Sequence, residues 1–153
     1  MHVNPTIELL NEVWAGARTG LTSLRAILDI TDDTNLRNEI YRQETEYQNV
    51  VREAENLLAG HGERPDGVNC MTRACTWTGI RMNTLTDKST PHMAGLLIQG
   101  NTMGVIELTK ARADCEGAQA SAQDLAARLL ALEQDNIERS LALLEQAEAL
   151  TTA

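Results

Sequence analysis

The sequence of 153 residues contains no phenylalanine, and aromatic residues make up only 3% of it. Strands of β-sandwiches and barrels are enriched in aromatic residues, so this scarcity argues against those folds. Three cysteines, Cys70, Cys75 and Cys115, are too few for a disulfide framework, and the first two lack the spacing of a CxxC motif. We therefore expect buried, reduced thiols.

The chain also has few basic residues, 13 Lys and Arg against 22 Asp and Glu, which gives a net charge of −9. That charge argues against nucleic acids and anionic membranes as partners. No apolar run reaches transmembrane length, and the first residues lack a signal-peptide pattern. With 42% hydrophobic residues, the chain can build a core. We expect one cytoplasmic domain over 1–153.

Caps and helix breakers divide the chain into four long predicted helices. The first covers 5–30, the second runs from the loop 31–34 to Gly60, the third opens at Ser89-Thr90-Pro91, and the fourth opens at Ser121. Their apolar stripes follow helical spacing: Ile7, Leu10, Trp14, Ala17, Leu21, Leu24 and Leu28; Leu36, Ile40, Gln43, Tyr47, Val50, Ala54 and Leu57; Met93, Leu96, Gly100, Met103, Glu107 and Lys110; Ala126, Leu129, Glu133, Asn136, Ser140, Leu143 and Ala147. A further, threonine-rich helix is predicted over 68–86.

The connections between these helices predict the topology. Short loops join the first helix to the second and the third to the fourth, so each pair is antiparallel. About 30 residues link the second helix to the third, enough to return along the bundle and leave these two helices parallel. This is an all-α four-helix bundle with one long crossover.

Two stretches, Met82–Asp87 and Ile98–Gly104, resemble a small uncharacterised bacterial family of ferritin-like bundles. At the level of the fold, nearly the whole chain is similar to the ferritin-like superfamily, including the rubrerythrin relatives. This resemblance implies an all-α, ferritin-like four-helix bundle with a long helical crossover between its second and third helices. It also implies a metal pattern, with a Glu on the first and third helices and Glu-x-x-His on the second and fourth.

The sequence matches that metal pattern only in part. Residues 44–47 (Glu-Thr-Glu-Tyr) take the place of the first Glu-x-x-His, and residues 133–136 (Glu-Gln-Asp-Asn) take the place of the second. Glu107 corresponds to the carboxylate of the third helix, and the first helix offers none. The candidate metal ligands are therefore Glu44, Tyr47, Glu107, Glu133 and Asn136. Such oxygen donors suit a single iron or manganese ion.

Periodicity alone leaves three interpretations of these residues open. They could form a ligand site, since all but Glu107 fall within one helical turn, about 5 Å, along the bundle. They could instead be a relic polar layer in which Tyr47 and Asn136 satisfy the carboxylates by hydrogen bonds. A rotation of one position would turn the carboxylates toward water.

The sequence leaves enzymatic activity undecided. We expect a non-catalytic bundle that acts by self-association or partner binding; the alternative is an iron- or manganese-binding protein of oxidative stress or storage. The apolar stripes are wider than one bundle buries, because Leu9, Val13, Ile27, Leu97, Ile98 and Val105 add to them. We therefore expect a homo-oligomer, in the form of a dimer.

Overall fold

The computed structural model describes residues 3–66 and 86–152. These ranges contain four α-helices: α1 (Pro5–Leu28), α2 (Thr34–Gly60), α3 (Thr90–Asp114) and α4 (Ala120–Thr152). No β-strand occurs in either range. The helix predicted over 68–86, within the crossover from α2 to α3, lies outside the described residues except for Thr86.

Three of the helices begin where their capping residues predict. Asn4, Asp33 and Ser89 each accept a hydrogen bond from a backbone N–H two or three residues later, at 2.9, 2.8 and 3.4 Å. These bonds satisfy N–H groups that have no partner inside the helix. A proline lies in the first turn of both α1 and α3. The first helix ends two residues earlier than predicted, and the fourth starts one residue before Ser121.

The helices form a bundle in the predicted topology. The most extensive contacts join α1 to α2 and α3 to α4, and α2 also packs on α4. Glu53 of α2 pairs with Arg128 of α4, and Arg42 of α2 bonds Asn136 of α4, so these two helices run in opposite directions. Because α3 and α4 are joined by a short turn at 115–119 and are antiparallel, α3 lies parallel to α2.

The core confirms the stripes predicted on α1, α2 and α4. Leu21, predicted to lie in the core, is only 3% exposed. The buried apolar residues of these helices form one continuous cluster, which comprises Leu9, Leu10, Val13, Ala17, Leu21, Leu24 and Ile27; Leu36, Ile40, Tyr47, Val50, Val51, Ala54 and Leu58; and Ala122, Leu125, Ala126 and Leu129. Ile7, Trp14, Leu28, Leu57 and Leu143 are partly buried against it.

The stripe predicted on α3 was correct at Met93 and Leu96 and wrong farther along the helix. The buried residues of α3 are Met93, Ala94, Leu96, Leu97, Asn101, Leu108 and Ala111. The predicted stripe instead continued through Met103, Glu107 and Lys110, which are exposed. Each predicted position precedes a residue of the inward face by one, and one residue turns a helix by about 100°. The apolar residues of α3 surround much of the helix, so periodicity did not separate the two faces.

Two expectations from composition also have a structural outcome. Cys115 is a free, buried cysteine, and burial raises the pKa of its thiol to about 11, which suits an unreactive thiol. Cys70 and Cys75 lie outside the described residues. Within the described ranges, no helix has the length and apolar character needed to cross a membrane.

Candidate functional site

Four polar side chains meet inside the bundle: Tyr47 of α2, Asn101 of α3, and Glu133 and Asn136 of α4, here called the polar layer. All four are at most 5% exposed. The Tyr47 hydroxyl donates to Asn101 Oδ1 at 2.9 Å, and Asn136 Nδ2 donates to the Tyr47 oxygen at 3.3 Å. Asn101 Nδ2 donates to the backbone oxygen of Leu97 at 2.8 Å. These bonds tie three helices together at one level of the core.

Two glycines make room for the large members of the layer. A Cβ at Gly20 of α1 would lie 2.7 to 2.9 Å from three ring atoms of Tyr47. A Cβ at Gly104 of α3 would lie 2.8 to 2.9 Å from the carboxyl group of Glu133. Real Cβ atoms do not approach other heavy atoms so closely, so both positions depend on the missing side chain. The glycines therefore set the space in which the phenol ring and the carboxyl group lie.

Burial keeps the polar layer uncharged near neutral pH. It raises the pKa of Glu133 to about 8, while hydrogen bonding with Tyr47 acts in the opposite direction. Burial also raises the pKa of Tyr47 well above its usual value, and the nearby Glu133 carboxyl adds to that rise. No cation of the described chain lies within ion-pair distance of Glu133. A protonated carboxyl group and a neutral phenol are therefore the expected forms at pH 7.

A partly exposed arginine closes the layer on one side. Arg42 Nη2 donates to Asn136 Oδ1 at 2.9 Å and to Glu39 Oε1 at 2.7 Å. The hydrogen bond with Glu39 is the largest cause that raises the pKa of Arg42. Gln43 Nε2 also donates to Glu39 Oε1, at 2.9 Å. The guanidinium group thus fixes the amide of Asn136 so that its nitrogen faces Tyr47.

The structure assembles only part of the predicted ligand set. Tyr47, Glu133 and Asn136 come together inside the bundle, where Tyr47 is hydrogen-bonded to both Asn136 and Glu133. Glu44 is half-buried and accepts a hydrogen bond from Gln48 of the same helix on its exposed side, at 3.2 Å. Glu107 is exposed. Glu44 follows the buried Gln43 by one position and Glu107 precedes the buried Leu108 by one, so each is rotated away from the core.

Hence no multi-carboxylate cage forms at the layer. Within residues 3–66 and 86–150, no group of three or more His, Cys, Asp or Glu side chains could hold a metal ion. Of the five candidate ligands, the layer contains one carboxyl group, one phenol and one amide. These groups do not fit the paired-metal pattern that the ferritin-like resemblance implied, which requires several carboxylates and two imidazoles.

Sequence reasoning missed Asn101, Glu39 and Arg42. Asn101 lies on the series Leu97, Asn101, Gly104, Leu108 and Ala111, which has helical spacing and could have been chosen over the series one position earlier. Glu39 and Arg42 carry the i, i+3 spacing of an ion pair, but such pairs are common on exposed helix faces. The contact of Arg42 with Asn136 depends on the packing of α4 against α2.

Comparisons with known proteins bear on the fold alone. Neither the models of protein families nor the sequences of curated proteins give a match to this chain. The structure is similar to a thioferritin described as dodecameric, the bacterioferritin-related protein from Bacteroides fragilis. The TM-score is 0.74 at 10% sequence identity, and the alignment covers 99% of this chain and 91% of that one. Together with the order and direction of its four helices, this similarity shows that the chain has the ferritin-like fold.

Proposed function

We propose that this chain is a non-catalytic ferritin-like bundle that acts by self-association. The observation that carries the proposal is the polar layer itself. The middle of the bundle, where the resemblance implies metal ligands, contains a neutral set of side chains that bond one another. A site that satisfies its own polar groups has little need of an ion to stabilise it.

The chemistry of the donors supports this proposal. Glu133 is the one carboxyl group in the layer, and burial favours its protonated form, which is a poor ligand. A phenol binds metal ions well only after deprotonation, and the raised pKa of Tyr47 opposes that step. A neutral amide such as Asn136 is a weak ligand for transition metals. We therefore expect at most one weakly held ion per chain and no efficient oxidation of ferrous iron.

Self-association has support of a different kind. The structurally similar Bacteroides fragilis protein is described as a dodecamer. The apolar surface of this chain also supports the proposal, but through other residues than those named in the sequence analysis. Leu9, Val13, Ile27 and Leu97 are buried in the core and are not left over. The large apolar side chains that remain exposed include Met103 and Ile106, at 42% and 60%. A homodimer is the simplest assembly that covers such a surface.

A metal-binding role in iron or manganese storage or oxidative stress is the second candidate. Two observations favour it: the similar fold belongs to a thioferritin, and Glu133 is a buried carboxyl group with no cation beside it in the described chain. A bound cation would lower the pKa of this carboxyl group and make it a ligand. The fit of the layer to two metals is nevertheless poor, so this role would have to rest on a single ion.

Two measurements on purified protein separate these candidates. Metal content and the rate of ferric absorbance after air is admitted to anaerobic protein with ferrous iron test the metal role. Glu133→Ala tests the layer, and Glu138→Ala on the exposed side of the same helix is the control. We expect at most one ion per chain and an oxidation rate close to that of buffer for all three proteins. Rapid oxidation that Glu133→Ala abolishes and Glu138→Ala preserves would establish metal chemistry instead.

Light scattering coupled to size-exclusion chromatography tests self-association directly. A monomer has a mass of 16.8 kDa. We expect a multiple of that mass at micromolar concentration. A mass of 16.8 kDa at every concentration would contradict the proposal.

A further inference from the structure

The longest stretch of the chain without a charged residue lies on α3. Residues 89–106 contain no Asp, Glu, Lys or Arg across 18 positions, whereas no other uncharged stretch exceeds seven. Charged residues make up 23% of the whole chain. The helix is nevertheless not apolar enough to cross a membrane. An uncharged helical segment of this length on the surface of an acidic bundle needs a physical explanation.

The side of α3 that faces away from the core is open. Helical spacing places six residues on it, here called the α3 outer face: His92, Gly95, Gln99, Thr102, Met103 and Ile106. Ile106 is 60% exposed and Met103 is 42% exposed. A Cβ at Gly95 would have no heavy atom of the described residues within 4 Å, so no described segment packs on the helix at that position. On the opposite side, Leu97, Asn101 and Leu108 are buried in the bundle.

We infer that the α3 outer face is the surface through which two copies of this chain associate. This inference rests on the self-association proposed above and assigns it to one helix. In a symmetric dimer the same patch contributes from both subunits, and residues near the two-fold axis meet their own copies. A charged residue in that position would face an identical charge, which is unfavourable once water is excluded. The α3 outer face avoids this repulsion.

The exposed faces of α2 and α4 carry charged residues instead. On α2 the exposed residues include Glu46, Arg52 and Glu55, and on α4 they include Glu138 and Glu145. A partner of opposite charge would be recognised through surfaces of that kind, since a protein with a net charge of −9 attracts cationic partners through its carboxylates. The α3 outer face offers no charge to such a partner. Its composition of Ile, Met, Thr, Gln, Gly and His, with no Asp, Glu, Lys or Arg, suits a second copy of the same surface.

A charge placed on the α3 outer face tests this assignment. Ile106→Glu introduces a carboxylate that would meet apolar surface and a like charge in the dimer. Leu141→Glu is the control, because Leu141 of α4 is another exposed apolar residue, at 42%, and receives the same new charge. Light scattering over a concentration series gives the mass, and circular dichroism confirms that each variant retains its helices. We expect Ile106→Glu to reduce the mass about twofold, to 16.8 kDa, while Leu141→Glu keeps the wild-type mass.

A second variant keeps the test decisive if Ile106→Glu fails to fold. Met103→Lys places the opposite charge on the same face and should also yield monomers. Wild-type mass in both α3 variants would overturn the assignment to α3, and so would a loss of mass in Leu141→Glu alone or in Leu141→Glu together with the α3 variants. In each case the wild type still self-associates, so the proposed function stands. Only a wild-type chain that is itself a monomer contradicts the proposed function.

Discussion

Replacing Glu133 with glutamine tests whether the polar layer is neutral. Glutamine has nearly the same shape as a protonated glutamic acid and can still donate and accept hydrogen bonds, but it cannot ionise. Glu133 is 4% exposed, and burial raises its pKa from 4.5 to about 8. The folded protein therefore holds a proton that the unfolded chain releases above pH 4.5.

The two pKa values determine the size and sign of the effect. Because the folded state binds the proton more tightly, Glu133 contributes most to stability below pH 4.5, and this contribution is lost as pH rises to about 8. At pH 7 the difference in pKa corresponds to a loss of about 3 kcal/mol relative to a group that cannot ionise. Glu133→Gln should therefore raise the free energy of unfolding at pH 7 by up to about 3 kcal/mol. At pH 4 the variant and the wild type should be equally stable.

Urea unfolding of both proteins between pH 4 and pH 9 measures this difference directly. Glu138→Gln is the control. Glu138 lies on the exposed side of the same helix, so this substitution removes one carboxylate without changing the layer. The expected result is a gain for Glu133→Gln that grows with pH and levels off above pH 8, with little change for Glu138→Gln. A Glu133→Gln protein that is less stable than the wild type at pH 7 would refute the reasoning, since it would show that the ionised carboxylate is the form that the fold requires.

Two further predictions concern packing around the layer and in the core. Gly20→Ala should lower the free energy of unfolding by about 1–2 kcal/mol, because its Cβ would overlap the Tyr47 ring and this cost exceeds the gain in helix propensity of about 1 kcal/mol. Gly16→Ala in the same helix is the control: its Cβ would make an ordinary 3.6 Å contact, so thermal or urea unfolding should show a gain of up to about 1 kcal/mol. A similar loss in both variants would mean that the contact with Tyr47 is not the cause. Leu21→Ala should cost about 2–5 kcal/mol in the same assay, because Leu21 is 3% exposed in the core, and a cost near zero would mean that α1 faces the bundle differently.

The sequence by itself determined where the helices begin and how they are connected. Three helices begin at Asn4, Asp33 and Ser89, whose side chains accept hydrogen bonds from backbone N–H groups of the first turn. Such local bonds need no tertiary contact. The lengths of the connections then fixed which helices are antiparallel, because a short loop cannot reach the far end of a bundle. The buried stripes of α1, α2 and α4 could be predicted because charged or polar residues lie on the opposite side of each helix.

Part of the site could be predicted for the same reason. Tyr47, Glu133 and Asn136 lie on stripes whose other members are mostly apolar, so their burial follows from helical spacing. Glu44 and Glu107 were included because the resemblance to ferritin-like bundles implied carboxylates at those positions. Neither side chain is fully buried in the core, since each residue lies one position from the inward stripe. A motif assigned by resemblance does not specify rotation about the helix axis.

The rotation of α3 and the chemistry of the layer were decided only by the tertiary structure. Between residues 89 and 106 no charged residue marks a solvent side, so several faces of α3 are equally apolar and packing against α4 selects one. That selection buries Asn101, places Gly104 against Glu133 and exposes Met103 and Ile106. The pKa of Glu133 likewise depends on burial against other helices, including α3 at Gly104 and α2 at Tyr47, which reach the carboxyl group only after the bundle forms. Local sequence patterns specify which residues share a helix face, but the neighbours of that face are set by long-range packing.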